Sequence, residues 1–491
     1  MSHNESQHNR SLLIEIARKD MLERGLDPDF SPEVMEEVRR ITSSEPKTDP
    51  SIRDLRKLLW CSIDNDDSLD LDQLTLAEPM SEERIRVMVA IADVDAVVKQ
   101  SSEIDKHAAQ NTTSVYTAAA VFPMLPDELS TGLTSLNADS DRMAIVVEMA
   151  IDRDGVIQKS EIFRALVRNQ AKLAYNSLAE WLEGHGPLPK EATEVKGLDE
   201  NLKLQDQAAG RMKNFRHEQG ALDFTTSQAR PIFDGDTLSE LRNEVKNRAK
   251  DIIEDFMIGA NGVTARFLTS HNFPSFRRIV RTPKRWSRIV EIAAEHGFKL
   301  PGEPDSKSLQ EYLTWSKKND PDRIQDLSLS IIKLLGPGEY AVGMPGEPVA
   351  GHFGLAVQSY SHSTAPNRRF PDLITHRLLK AALSGKGYPY TPEDLVALAA
   401  HCTEQENDAK KVERQVGKSA AALLLEHRIG EKFNAIVTGA SDKGTWVRLL
   451  TVPVEGRVVD GYRGLDVGNR IRVELIDTDV WRGYIDFRRI T

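Results

Sequence analysis

Cysteine is nearly absent, with Cys61 and Cys402 the two thiols among 491 residues. Two cysteines rule out a disulfide framework or a zinc site built from thiolates. Long apolar runs are missing too, so no segment reaches transmembrane length. The opening stretch MSHNESQHNRSLLIEIARKD lacks the basic region and following apolar run of a secretory signal. A cytoplasmic chain is therefore expected. Positive charge is also in deficit, since 64 Lys and Arg face 75 Asp and Glu for a net charge of −11. Such a balance argues against a protein that coats nucleic acid by bulk charge. It leaves open an enzyme that draws one strand into a channel, because only the channel then needs positive potential.

What is present organises the chain into zones. With 40% hydrophobic residues the sequence can bury a large core. Residues up to Ile41 read as helical: Ile14, Ala17 and Met21 stand at helix spacing, and SPEVMEEVRRI follows a Ser-Pro start. The polar stretch TSSEPKTDPS reads as a linker. RIRVMVAIADVDAVV is β-branched and reads as a strand. Helical patterns are expected at Glu240–Phe267, Asp372–Leu383 and about Pro392–His427, within an α/β or α+β body. After Gly430 short alternating strands with Gly and Asp turns predict a five-stranded barrel of the OB type. Trp446, Arg448, Arg457, Arg470 and Arg472 lie in this barrel, where aromatic and basic side chains can hold a single strand. Trp446 by itself reads better as a filler of the barrel core.

The densest chemical signal is SIDNDDSLDLDQ, residues 62–73, which crowds five aspartates into nine positions. Apolar Ile63, Leu69 and Leu71 are interleaved, as on a partly buried scaffold rather than a solvated loop. Acids held so close repel one another unless a cation intervenes. Hard oxygen donors favour Mg²⁺ or Mn²⁺ over zinc. A calcium loop is not matched, because its glycine and flanking helix pair are missing. Alone, the cluster reads narrowly better as a surface acidic turn than as a catalytic site, and it needs a basic counterpart. That counterpart lies far downstream in GHFGLAVQSYSHSTAPNRRFPDLITHR, where Arg368 and Arg369 open a helix, a place suited to phosphate. A structural ion pair is the competing reading for one of the two arginines. Acidic metal ligands with arginines suit phosphodiester chemistry.

Six blocks in order carry a family resemblance: SIDNDDSLDLDQ, VAIADVDAVV, TSVYTAAAVFPMLPDELSTGLTSLN, KLAYNSLAEWLEG, IIEDFMIGAN and the arginine block. Together they resemble the ribonuclease II, or RNB, family from about Trp60 to the C-terminus. The resemblance implies an α+β chain with a short helical segment over 1–50, a large mixed α/β catalytic domain over 51–427, and an OB-type barrel of the S-one RNA-binding kind over 428–491. It implies 3′→5′ hydrolysis of single-stranded RNA to nucleoside 5′-monophosphates with Mg²⁺ (Mn²⁺ as a substitute), by a chain needing no partner subunit. By motif position, Asp64, Asp70 and Asp72 would hold metal, with Asp72 the most critical. Arg368 would contact the scissile phosphate with support from Arg369. Tyr116 and Phe224 would stack on terminal bases, while Tyr175 and Glu254 would touch the terminal ribose.

Three departures from the family pattern stand out. Gln73 replaces a usual fourth aspartate, so its amide oxygen could ligate metal but without charge. Ser363, Ala365 and Asn367 replace Phe, Ser and Ile in the arginine block. The usual pair of N-terminal cold-shock domains is absent from this sequence, and its N-terminal helices read as a packing extension. A basic run from Arg266 to Arg288, with Arg277, Arg278, Arg281, Lys284 and Arg285, reads equally as channel lining or as a solvated helix face. A second functional class, an RNA-binding or regulatory protein with weakened catalysis, draws its support from Gln73.

Overall fold

The computed structural model describes residues 9–41, 49–226, 228–244, 246–321, 323–441 and 444–490. Most of the linker expected at 42–51 lies outside the described residues. Two helices open the chain, α1 (Asn9–Glu23) and α2 (Pro32–Arg40). The Ser31 side chain accepts from the Val34 amide and Pro32 sits in the first turn, which is why α2 begins there.

Next come β1 (Arg53–Asp54), β2 (Cys61–Asp64), β3 (Gln73–Pro79) and β4 (Ile85–Ala92), then α3 (Glu103–Asn111) and a short hairpin, β5 (Val115–Tyr116) with β6 (Val121–Phe122). The strands β7 (Asp141–Ile151), β8 (Ile157–Arg168) and β9 (Ala171–Ala174) complete a sheet ordered β1-β8-β7-β4-β3-β2-β9. Strand β4 is buried along nearly its whole length, as its apolar run from Val87 to Ala92 requires. It stops at Ala92, short of the strand expected through VDAVV, because the Asp93 carboxylate caps the Ala96 amide and turns the chain.

Helices α4 (Tyr175–Leu182), α5 (Lys190–Thr193) and α6 (Leu198–Glu218) precede a hairpin of β10 (Gln228–Asp234) and β11 (Thr237–Glu244). The helix expected from Glu240 starts instead at α7 (Arg248–Ser270). Two local features decide this. Gly235 takes a positive φ of 60° in the turn that folds β11 back on β10. The Asn247 side chain then accepts from the Lys250 amide and caps α7. Helices α6 and α7 pack on β3, β4 and β7.

The strand β12 (Ser275–Ile279) and three helices, α8 (Trp286–Glu295), α9 (Ser306–Asn319) and α10 (Ile324–Leu335), follow, and the helices share a core of their own. Strand β13 (Glu339–Gly343) pairs antiparallel with β12. At the centre of the basic run this pairing overturns the reading as a solvated helix face: Arg277 and Arg278 lie on a buried strand. Arg278 forks onto Glu406 at 2.6 and 2.9 Å, and Arg277 bonds Ser275 and Thr269. Arg281 is paired with Glu339.

Helix α11 (Phe370–Leu383) leads to the long α12 (Pro392–Leu425), whose start carries a Thr391–Asp394 capping box. The chain ends in a closed barrel of β14 (Lys432–Ser441), β15 (Gly444–Leu449), β16 (Glu455–Asp460), β17 (Arg470–Asp479) and β18 (Tyr484–Arg489). Trp446 does not fill it. On β15 the residues on either side, Thr445 and Val447, are the buried ones, and the Trp446 ring lies outside against Gly439 and Gly444. The period of two along a strand forces this choice once Val447 points inward. Arg448 bonds Asp326 of α10 and so ties the barrel to the body.

Helix α1 buries Leu13, Ile16, Ala17 and Met21 in a cluster shared with the β5–β6 hairpin, the β10–β11 hairpin, α12 and the barrel. Its Lys19 ammonium lies 5.8 Å from the Trp481 ring. Among the described residues no helix is long and apolar enough to cross a membrane.

Candidate active site

The acidic segment is the connection between β2 and β3. Asp64 ends β2 and Gln73 starts β3, and the loop between them is held from three sides. The Ser135 hydroxyl donates to the Leu69 carbonyl (2.7 Å) and accepts from the Leu71 amide (3.0 Å). Lys172 Nζ donates to the Ser68 carbonyl at 2.5 Å. Arg230, from β10, pairs with Asp67. The SLN and KLA blocks of the sequence therefore act as supports for the acids.

Asp72 is the best-buried acid of this segment, 2% exposed. Its Oδ1 accepts from the Asn367 amide at 3.0 Å and its Oδ2 from Arg368 Nε at 3.1 Å. This contact joins positions 296 residues apart and closes the acidic and arginine segments into one centre. Burial pushes the Asp72 pKa up to about 7 despite the attraction of Arg368. Burial likewise raises the Asp64 carboxyl, which accepts from the Asn65 amide at 2.7 Å. Asp70 is half-buried and accepts from the Tyr116 hydroxyl at 3.2 Å.

The two arginines divide their tasks. Arg368 leaves much of its guanidinium open, with 43% side-chain exposure. Arg369 forks onto the fully buried Asp372, Nε to Oδ2 and Nη2 to Oδ1, both at 2.8 Å. Of the two readings offered for the pair, the structural ion pair thus describes Arg369. Asp372 also accepts from the Ala365 amide, so it fixes the loop that presents Arg368.

Tyr116 stands 42% exposed at a cleft of about 740 Å³, lined also by Asn65, Asp70, Pro123, Arg230 and Phe233. Its amide donates to Glu413 of α12 at 2.9 Å. Sequence reasoning missed Glu413, because nothing in the helical pattern KKVERQV separates it from a solvated glutamate. Burial raises its pKa.

The remaining candidates form a second group. Tyr175 opens α4, and the parallel register that sets Asp64 opposite Ala174 brings it beside the acids along the chain. The Lys250 ammonium lies 5.7 Å from its ring. Glu254 is paired with Lys246 at 2.8 Å, and Lys246 also reaches Asp251 and Asp223. Phe224, next to Asp223, packs half-buried against the α8–α10 core. The direct contacts of Tyr116 are therefore with the acids, while those of Phe224 are with the helical module.

Gln73 is buried at the start of β3, opposite Ile91 of β4. No group of three or more His, Cys, Asp or Glu side chains forms a ready-made metal cage among the described residues. The donor set still suits a hard cation, since Mg²⁺ is commonly held by one or two carboxylates completed by substrate phosphate and water. The raised acids are those that a nearby cation would relieve.

A mixed α/β body carrying an acid–arginine centre is joined to a five-stranded barrel, and each part matches a known domain family. The RNB domain profile matches residues 52–385, and that of the RNase II-type exonuclease C-terminal S1 domain matches 431–490. The chain belongs to the RNB family. It is 32% identical over 448 residues to ribonuclease R of Escherichia coli K12, covering 86% of this chain and 53% of that protein. It thus spans about half the length of that relative. Among solved structures, Mycoplasma genitalium RNase R in complex with ribose-methylated single-stranded RNA superposes with a TM-score of 0.87 at 22% identity, covering 97% of this chain and 78% of that one. Yeast Ssd1, described as a pseudonuclease, gives 0.68 at 16% identity over 91% of this chain and 55% of its own. The fold therefore occurs with and without nuclease activity, and the chemistry has to be argued from the site.

Proposed function

We propose that this chain is a divalent-metal-dependent 3′→5′ exoribonuclease that hydrolyses single-stranded RNA to nucleoside 5′-monophosphates. The observation that carries the reading is the buried Asp72 bound to the half-open Arg368, two residues along the chain from Asp70, which lines the Tyr116 cleft. A carboxylate kept out of water at such a cost suits a cation and a phosphate better than a merely structural pair. Asp64, Asp70 and Asp72 would hold the metal, with Gln73 offering its amide oxygen. The bound ion would supply an activated water and stabilise the leaving oxygen. Arg368 neutralises charge on the scissile phosphate, and Arg369 keeps the loop in place through Asp372. Tyr116 and Phe224 stack on terminal bases, which suits sequence-tolerant degradation. Tyr175 and Glu254 read the terminal ribose, where a 2′-hydroxyl separates RNA from DNA. The work is that of a single cytoplasmic chain.

The test is a time course on 5′-labelled single-stranded RNA with Mg²⁺, Mn²⁺ or EDTA, resolved on a denaturing gel. The expected result is a metal-dependent ladder that shortens from the 3′ end to a short residual oligomer. Gln73 favours a second reading, an RNA-binding or regulatory protein with weakened catalysis. Tight binding without shortening in either metal would establish it, and Gln73→Asp would then be the variant expected to restore cleavage.

Tyr116→Ala is expected to lengthen the final product by a few nucleotides while changing the rate on long RNA by about threefold or less, since stacking contributes roughly 1–3 kcal/mol to holding a base. End products of unchanged length on the same gel would remove Tyr116 from the clamp.

A further inference from the structure

The cleft in front of Tyr116 has an electrostatic problem. Its wall carries Asp67, Asp70 and Asp127, yet a strand of RNA brings one negative charge per nucleotide. Two arginines share that wall, Arg230 and Arg10. Arg230 is already paired with Asp67. Arg10 has no carboxylate partner among the described residues. Its Nε donates to the Ala119 carbonyl at 2.9 Å, on the loop between β5 and β6 that follows Tyr116. Its guanidinium carbon lies 5.3 Å from the Phe233 ring. These two contacts fix the guanidinium at the cleft while leaving its terminal nitrogens available.

Two further features favour an anion there. Arg10 lies in the first turn of α1, a helix of fifteen residues whose first turn has no acidic side chain. The helix therefore adds its positive end to the arginine. And α1 is rigidly seated, with Leu13, Ile16, Ala17 and Met21 buried, so the charge is presented from a fixed support.

We infer that Arg10 is a substrate-positioning residue: α1 delivers it to the Tyr116 cleft, where it binds a backbone phosphate of the incoming RNA strand. The N-terminal helix then does more than pack against the body. It supplies positive charge to a cleft that is otherwise acidic, and the contact is indifferent to base sequence because phosphates carry no sequence. The inference rests on the RNA-degrading reading of this cleft.

The experiment is an anisotropy titration of the full chain with a 5′-fluorescein single-stranded RNA in EDTA, which keeps the probe intact, over a series of KCl concentrations. One lost phosphate contact should weaken binding about fivefold at about 0.1 M salt and lower the slope of log K against log salt by about 0.7. That is the expectation for Arg10→Ala, and it should hold equally for two RNAs of unrelated sequence. Arg10→Lys should recover most of the slope, because it keeps the charge while losing the Nε bond to the Ala119 carbonyl. A purely structural arginine would not move the slope. If Arg10→Ala keeps the wild-type slope, or if Arg10→Lys behaves like Arg10→Ala, the inference is overturned. If the wild-type chain itself fails to bind RNA, the functional reading falls first and takes this inference with it.

Discussion

Asp72→Asn should lower the cleavage rate by about a thousandfold or more, equivalent to about 4 kcal/mol of lost transition-state stabilisation, while leaving the affinity for single-stranded RNA within about twofold. The reasoning follows from its two contacts. An asparagine Oδ1 can still accept from the Asn367 amide, so the arginine loop keeps one of its anchors. The other position would present either a neutral oxygen or an amide N–H to Arg368 Nε, and the charge that pairs with Arg368 is gone. The clefts and the barrel are untouched, so binding persists. Single-turnover decay of 5′-labelled RNA, read beside an anisotropy titration of the same variant, checks both halves. A variant that cuts within tenfold of the wild-type rate would remove Asp72 from the chemistry. One that loses binding and cleavage together would make Asp72 a folding residue.

How far the site could be read beforehand depends on the kind of interaction. The aspartate run announced itself in part: Ile63 and Leu71 are buried as a scaffold requires, Leu69 is instead 62% exposed, and the arginine segment offered the opposite charge. Which of two adjacent arginines faces the acids was not legible from the residues themselves; only the family resemblance pointed to Arg368. Alternation along the chain permits either, and the choice is made by Asp372, three residues into a helix, capturing Arg369. Glu413 was invisible for a related reason: its partner is a backbone amide 297 residues away, and backbone groups leave no mark in a sequence.

The fold followed the same division. Segments with strong local signals came out close to expectation: the helix after the Ser31-Pro32 start, the helix from Pro392, and the strand of β4 as far as Ala92. Residues 240–244 did not, because their helix-compatible composition yields to pairing with β10 across a glycine turn. The arginines of β12 misled for an instructive reason. A basic run reads as solvent-facing by default, yet Glu406, brought in by α12, allows Arg278 to be buried. Trp446 misled in the opposite sense, since an apolar ring on a barrel strand lands inside or outside according to a one-residue shift in register.

The second large effect concerns stability as well as rate. Asp372→Ala is expected to cost about 3–5 kcal/mol, the range for stripping one partner from a buried ion pair. Asp372 is fully buried, and three donors depend on it: the Ala365 amide and two nitrogens of Arg369. Their loss releases the segment that holds Asn367 and Arg368 against Asp72, so cleavage should fall with stability. The released Arg369 guanidinium would also compete with its neighbour for the Asp72 carboxylate. Two companion variants separate these causes. Asp372→Asn keeps an acceptor for the Ala365 amide and should lose less. The double variant Asp372→Ala with Arg369→Ala removes the uncompensated cation and should recover part of the stability, since residues in one ion pair do not contribute additively. Thermal melts of the three variants, with single-turnover rates taken well below each midpoint, decide the matter. If Asp372→Ala melts with the wild type, the buried pair does not hold the loop. If the double variant is less stable than Asp372→Ala, the cost lies in lost contacts rather than in a stranded charge.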